Sequence, residues 1–298
     1  MSRLAFPAAL LCALLSLLPS ALRSQAAGPA GEGASRPFTV RVEGSGRPMI
    51  LIPGLMSSGE VWEGAVEHYR GRYRTHTLTL AGFAGVPPTG AGSFLETQRD
   101  AIVRYIQEQK LDRPVLVGHS LGAFLAYWVA ATAPDLVGPV VAVDGVPYLA
   151  ALADPGMTPE RMRPQAAMIR EMYAGLAPEQ VAQQTRMVLQ SQMKDPAHRE
   201  MGVRWGRASD PATVGQAVEE MLTTDLRPVV AAIRVPVLQV AAGGAPGSDP
   251  APVLSRYRAQ VANVPEHRVV VVEGAGHFVM LDEPSALFSA LDAFLAGR

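Results

Sequence analysis

From Phe38 to the C-terminus, short apolar runs alternate with stretches of helical spacing. Phe38–Val42 alternates apolar and polar residues, which predicts an antiparallel edge strand. Met49–Ile52, Pro114–Val117, Pro139–Val143, Val235–Ala241 and Val269–Val272 are almost wholly apolar, and Thr75–Leu80 is rich in Thr and Leu. Runs of this kind suit strands buried on both faces of a parallel sheet. Between them, Phe94–Lys110, the segment after Gly122 up to about Thr132, Val253–Val261 and Pro284–Leu295 carry helical spacing. The expected fold class is therefore α/β, a mostly parallel sheet with helices on both faces. One region breaks the alternation. Residues 146–228 hold almost no β-branched runs but three helical stretches, Pro159–Leu176, Pro178–Lys194 and Pro211–Thr223. The expected organisation is an α/β core of residues 37–145 and 229–298, interrupted by an all-helical cap at 146–228.

The N-terminus is set apart from this pattern. Arg3 is followed by an apolar run, Leu4–Leu18, and then by the small-residue stretch Ser24-Gln25-Ala26-Ala27. These are the parts of a secretory signal peptide, expected over residues 1–26, with a disordered leader at 27–36 and an exported (periplasmic or secreted) mature chain. The apolar run is short for a membrane span. Leu11 precedes Cys12 where a lipoprotein signal needs a small residue, so no stable membrane association is expected after cleavage. Cleavage near Ala26 removes Cys12, leaving no cysteine for a disulfide. It also removes Arg3 and Arg23, so 24 basic residues face 27 acidic ones and the formal charge moves from −1 to −3. No basic stripe remains, which argues against a nucleic-acid partner.

The chemistry centres on Gly118-His119-Ser120-Leu121-Gly122, entered from an apolar strand and left by a helix. A sharp strand-to-helix turn of this kind projects its central side chain above the sheet edge, and the helix N-terminus behind it suits a developing oxyanion. Ser120 is thus the candidate nucleophile. A serine hydroxyl needs a base, and His277, in the glycine-rich loop after the last strand, is placed to emerge at the same edge. His68, His76, His198 and His267 lie in no such loop, and His119 is expected to point away from the nucleophile. Two carboxylates compete to orient the imidazole. Asp249, between the penultimate strand and the last, is preferred; Asp144, ending the strand before the insert, is the alternative. Each also has a structural reading, Asp249 as a helix cap before Pro250 and Asp144 as a turn anchor. The amides of Leu121 and of Leu55, behind Pro53-Gly54, are the candidate oxyanion donors. No metal or cofactor motif is present.

Taken together, Ile52-Pro53-Gly54-Leu55, Gly82-Phe83-Ala84-Gly85, the Ser120 pentapeptide, Val143-Asp144-Gly145 and Gly274-Ala275-Gly276-His277 resemble the α/β-hydrolase fold superfamily. Their order resembles its single-domain, cap-bearing esterases. The resemblance implies a serine hydrolase cleaving a carboxylic ester of a small or apolar acyl or aryl substrate through an acyl-enzyme, without a cofactor. Lactone, amide or peptide, and carbon–carbon hydrolysis use the same triad, and an inactive binding protein on the scaffold is the reading of a different class. The loop before Asp249 is longer than such enzymes usually have. Eight of the twelve methionines fall in the insert, which suggests an adaptable lid over a small-molecule substrate. Trp62 and Phe124 are further candidates for the pocket wall. Oligomeric state leaves no mark in the sequence.

Overall fold

The computed structural model describes residues 37–297; the expected signal peptide and leader lie outside the described residues. Seven strands form one sheet: β1 (Phe38–Gly44), β2 (Arg47–Ile52), β3 (Tyr73–Leu80), β4 (Val115–His119), β5 (Val140–Val143), β6 (Val237–Ala242) and β7 (His267–Val272). Their order is β1-β3-β2-β4-β5-β6-β7. β1 pairs antiparallel with β3 at the edge, as its alternating pattern predicts, and the other pairings are parallel.

The side-chain period of two divides the core. Ile50, Ile52, Leu116 and Val140 face α2 (Phe94–Glu108) and α3 (Leu121–Thr132). Met49, Leu51, Val115, Val117 and Val141 face α1 (Glu63–Tyr69) and α10 (Pro284–Leu295) on the opposite side. Both faces are covered, which is why the central strands read as continuous apolar runs rather than alternating ones. α8 (Ala251–Gln260) and the short α9 (Val279–Asp282) complete the core. α1 and α9, of one or two turns each, are too short to show a helical period in the sequence.

The insert contains four helices, one more than its sequence pattern predicts: α4 (Pro159–Ala174), α5 (Pro178–Gln192), α6 (Pro196–Arg207) and α7 (Pro211–Thr223). Each opens with proline in its first turn, where the missing N–H costs nothing. Thr158, Asp195 and Asp210 cap three of them through their side chains. α6 escapes a propensity reading because it carries Gly202 and Gly206. The structure explains both: a Cβ at Gly202 would crowd Leu189, and one at Gly206 would strike the Thr185 hydroxyl. Close packing against α5 outweighs the helix propensity lost.

The helices pair as α4 with α7 and α5 with α6. The first pair extends the core on the α2–α3 side, the second the core on the α1–α10 side. Polar ties fix the insert to the sheet. Glu220 of α7 accepts from the amides of Phe94 (2.9 Å) and Leu95 (2.8 Å), satisfying the open N-terminus of α2. The Trp205 indole donates to Glu60 at 3.0 Å, and Asp210 N donates to Gly82 O at 2.7 Å.

Candidate active site

Ligands of parallel sheets gather at the carboxyl ends of the strands. Here β4 and β5 run in register, His119 opposite Val143, so the next residues, Ser120 and Asp144, emerge side by side. Ser120 N donates to Val143 O at 2.9 Å, and Asp144 N to Val240 O at 2.8 Å. Both residues then leave the sheet in the left-handed region, Ser120 with φ 53° and Asp144 with φ 45°. Met56, beside the candidate oxyanion turn, does the same at φ 56°. Among the described residues only six non-glycines have positive φ, and three of them cluster here. Strain of that kind persists only where its surroundings enforce it. Gly118 and Gly122 make the turn at Ser120 possible: a Cβ at Gly118 would strike the Gly122 carbonyl, and one at Gly122 the Ile52 carbonyl.

His277 lies beyond β7, in a loop held from several sides. Gly276 N donates to Asp282 Oδ2 at 2.8 Å, and Gly244 N donates to Ala275 O at 3.0 Å. His119 Nε2–H donates to the His277 carbonyl at 3.0 Å, and the two imidazole rings lie 4.6 Å apart. His119 thus turns from Ser120, as expected, but to a purpose the sequence did not disclose. With Nε2 donating, its buried Nδ1 meets no hydrogen-bond partner. Burial and, next, the charge of His277 push its pKa down to about 3.

The carboxylate that meets His277 is Asp144. Asp144 Oδ2 accepts from His277 Nδ1–H at 2.6 Å, which fixes the tautomer and leaves Nε2 free to take a proton. Oδ1 accepts from Tyr257 O–H at 2.6 Å and Ala242 N–H at 2.8 Å. Burial pushes the Asp144 carboxyl up, but His277, the Ala242 amide and the Tyr257 hydroxyl together hold it below the usual carboxylate range. The phenol of Tyr257 is raised well above its ordinary value by burial and by the adjacent carboxylate.

The preference for Asp249 is corrected. Asp249 is exposed, and its Oδ1 accepts from Ala251 N at 2.9 Å in the first turn of α8. It is the helix cap that Pro250 signalled. Residues 243–248 carry the chain out to solvent before it turns into α8. That is why the loop is long and why its carboxylate cannot reach the imidazole. Tyr257 was not foreseen, and nothing in its local pattern marks it.

The amides of Leu55 and Leu121 donate to no group among the described residues; Leu55 borders the cavity above Ser120, whereas Leu121 is fully buried and is not among its lining residues. Ser120, His277 and Leu55 line one cavity of about 130 Å³, with walls from both helix pairs of the insert. Of the eight insert methionines Met221 alone lines it; Met162 and Met193 are core residues, while Met168 and Met187 face solvent. Trp62 and Phe124 are buried in the two halves of the core and do not line the cavity. Among the described residues no group of three or more His, Cys, Asp or Glu is placed to hold a metal ion, and no helix is long and apolar enough to cross a membrane.

Comparison with known proteins bears on the family and the fold. The model of the alpha/beta hydrolase family matches residues 49–291. Pimeloyl-(acyl-carrier protein) methyl ester esterase of Aliivibrio salmonicida is 33% identical over 111 residues, covering 37% of this chain and 41% of that protein. The chain thus spans about two fifths of the length of that relative. 2-(Acetamidomethylene)succinate hydrolase of Mesorhizobium japonicum is 28% identical over 265 residues, covering 87% of this chain and 91% of the other. Among solved structures, the enol-lactonase of Burkholderia xenovorans superposes with a TM-score of 0.71 at 18% identity, over 87% of this chain and 96% of that one.

Proposed function

This chain belongs to the alpha/beta hydrolase family, and from that premise we propose that it is a serine hydrolase cleaving a carboxylic ester through an acyl-enzyme. The observation that carries the reading is the 2.6 Å bond from His277 Nδ1 to Asp144 beside a serine held at φ 53°. Ser120 Oγ attacks the ester carbonyl as its proton passes to His277 Nε2. The Leu55 and Leu121 amides receive the oxyanion, an interaction for which a single donor is worth about 10²–10³-fold in kcat. Collapse expels the alkoxide, which takes the proton from the imidazolium, leaving Ser120 acylated. Water, losing its proton to the same histidine, then releases the acid and restores the serine. Asp144 stays ionised throughout and balances the imidazolium. The insert, residues 146–228, serves as the roof of the site.

A fluorophosphonate probe tests this directly. It should label the wild-type protein and leave Ser120→Ala unlabelled, and turnover of p-nitrophenyl esters should disappear with the label. Wild-type protein that neither labels nor turns over any ester sinks the reading. We further propose export through residues 1–26. Mature protein recovered from the periplasm or medium should begin after that segment, and an intact N-terminus in the cytosol would refute it.

A further inference from the structure

The cavity above Ser120 carries no formal charge of its own. Among its lining residues there is no Lys, Arg, Asp or Glu. Three cations of the insert pair outside the cavity: Arg170 with Glu219, Arg186 with Glu200, and Lys194 with Glu283. The polar side chains that the insert contributes, Thr185, Tyr173 and Gln192, are neutral. Thr185 spends its hydroxyl on Val181 O at 2.8 Å, and burial pushes the Tyr173 phenol up to about 12, so it stays protonated. Behind His277 lies the Asp144 carboxylate, an anion with 8% side-chain exposure. A second carboxylate brought in with the substrate would lose its hydration, find no cation and face that anion.

Size narrows the choice further. A dry cavity of about 150 Å³ accepts a benzene ring, so the volume of about 130 Å³ here suits a group slightly smaller. Resting on the serine-hydrolase reading, we propose that this site is selective for esters of uncharged, apolar acids of about four to six carbons and excludes acyl groups that end in a carboxylate. Gln192 marks where that selectivity can be reversed. It is half-buried at the C-terminal end of α5, on the cavity wall, where a cation is also favoured by the helix dipole.

The test compares 4-nitrophenyl hexanoate with 4-nitrophenyl hydrogen adipate, which share a six-carbon acyl chain and differ in a terminal methyl against a carboxylate. kcat/KM should favour hexanoate by about 100-fold or more, since an unpaired carboxylate is costly to bury. Across acetate, butyrate, hexanoate and decanoate it should peak at butyrate or hexanoate. Gln192→Arg should raise kcat/KM on the adipate ester by about tenfold, as a charge-assisted bond forms, with smaller change on hexanoate. Equal turnover of the two six-carbon esters, an optimum at acetate or decanoate, or no gain for adipate in Gln192→Arg each overturns the proposal. If fluorophosphonate still labels Ser120 in those cases, the nucleophile stands and only the substrate class falls. Loss of labelling together with all turnover is the failure of the serine-hydrolase reading instead.

Discussion

Asp144 and Asp249 follow neighbouring strands of one sheet, and their fates are opposite. Asp144 comes directly after β5, next to Ser120 on the adjoining strand, in a backbone conformation that turns its carboxylate inward. All its partners are within the site: His277, Tyr257 and the Ala242 amide. Asp249 comes after a solvent-exposed loop and spends its carboxylate on the first turn of α8. Chain order favours Asp249, because it stands between Ser120 and His277 near the last strand. Register favours Asp144, because in-register parallel strands place the residues following them side by side. Register wins, since a hydrogen bond answers to distance in space and not along the chain.

The largest separation between the two should appear in turnover. Asp144→Asn keeps the shape but leaves the imidazole without its carboxylate, and kcat should fall by about 10³–10⁴-fold. Asp249→Asn should stay within about twofold, as expected of an exposed substitution away from the site. Steady-state kinetics on one ester decides it, and the opposite ranking would reverse the assignment.

A smaller effect should come from Tyr257, which belongs to Asp144 alone. Tyr257→Phe removes one charge-assisted bond of about 1.5–3 kcal/mol, so kcat should drop by about tenfold with KM little changed. The sign of its pH effect follows from which form the phenol stabilises. Its O–H favours the ionised carboxylate, so its loss raises the Asp144 pKa toward the ordinary value. That shift moves the acid limb of kcat/KM to higher pH. An unmoved limb would reduce Tyr257 to a packing residue.

Much of this was legible beforehand, and the exceptions share a cause. The seven strands, the sharp turn at Ser120 and the loop of His277 are visible because buried parallel strands need apolar runs and a sharp turn needs glycines. Pro159, Pro178 and Pro211 announce their helices for an equally local reason. What escaped depends on contacts distant in sequence. Gly202 and Gly206 look like helix breakers until Leu189 and Thr185 are seen against them. Tyr257 is separated from Asp144 by the whole insert. His119 reads as a neighbour of the nucleophile, whereas its ring supports the loop of His277.

His119 also tests whether the site around Asp144 costs the fold its acid stability. Its pKa is pushed down to about 3 in the folded chain, and that of His76 to about 4, both by burial first. The unfolded chain therefore binds more protons between these values and about 6.5, the ordinary histidine pKa. Stability must fall with falling pH across that window, by up to about 1.4 kcal/mol per pH unit for each histidine. Thermal unfolding from pH 7 to pH 4 should show the decline, and His119→Gln should flatten it while lowering stability at pH 7. A slope unchanged in His119→Gln would mean that this imidazole is protonated in the fold.

The smallest effect belongs to Asp249 and concerns stability. Asp249→Ala removes the side-chain cap from α8, a loss of about 1 kcal/mol, which for a chain of this size is a fall of about 2–4 °C in Tm. The same helix carries Tyr257, so the lost cap has a path to Asp144. The path is weak, because fraying from a lost cap is confined to the first turn, whereas Tyr257 lies further along α8 with its ring buried. Tm should therefore move without kcat. If Asp249→Ala and Asp249→Asn instead lowered kcat as Tyr257→Phe does, the two carboxylates would be coupled through α8, and the contrast between them would be one of degree.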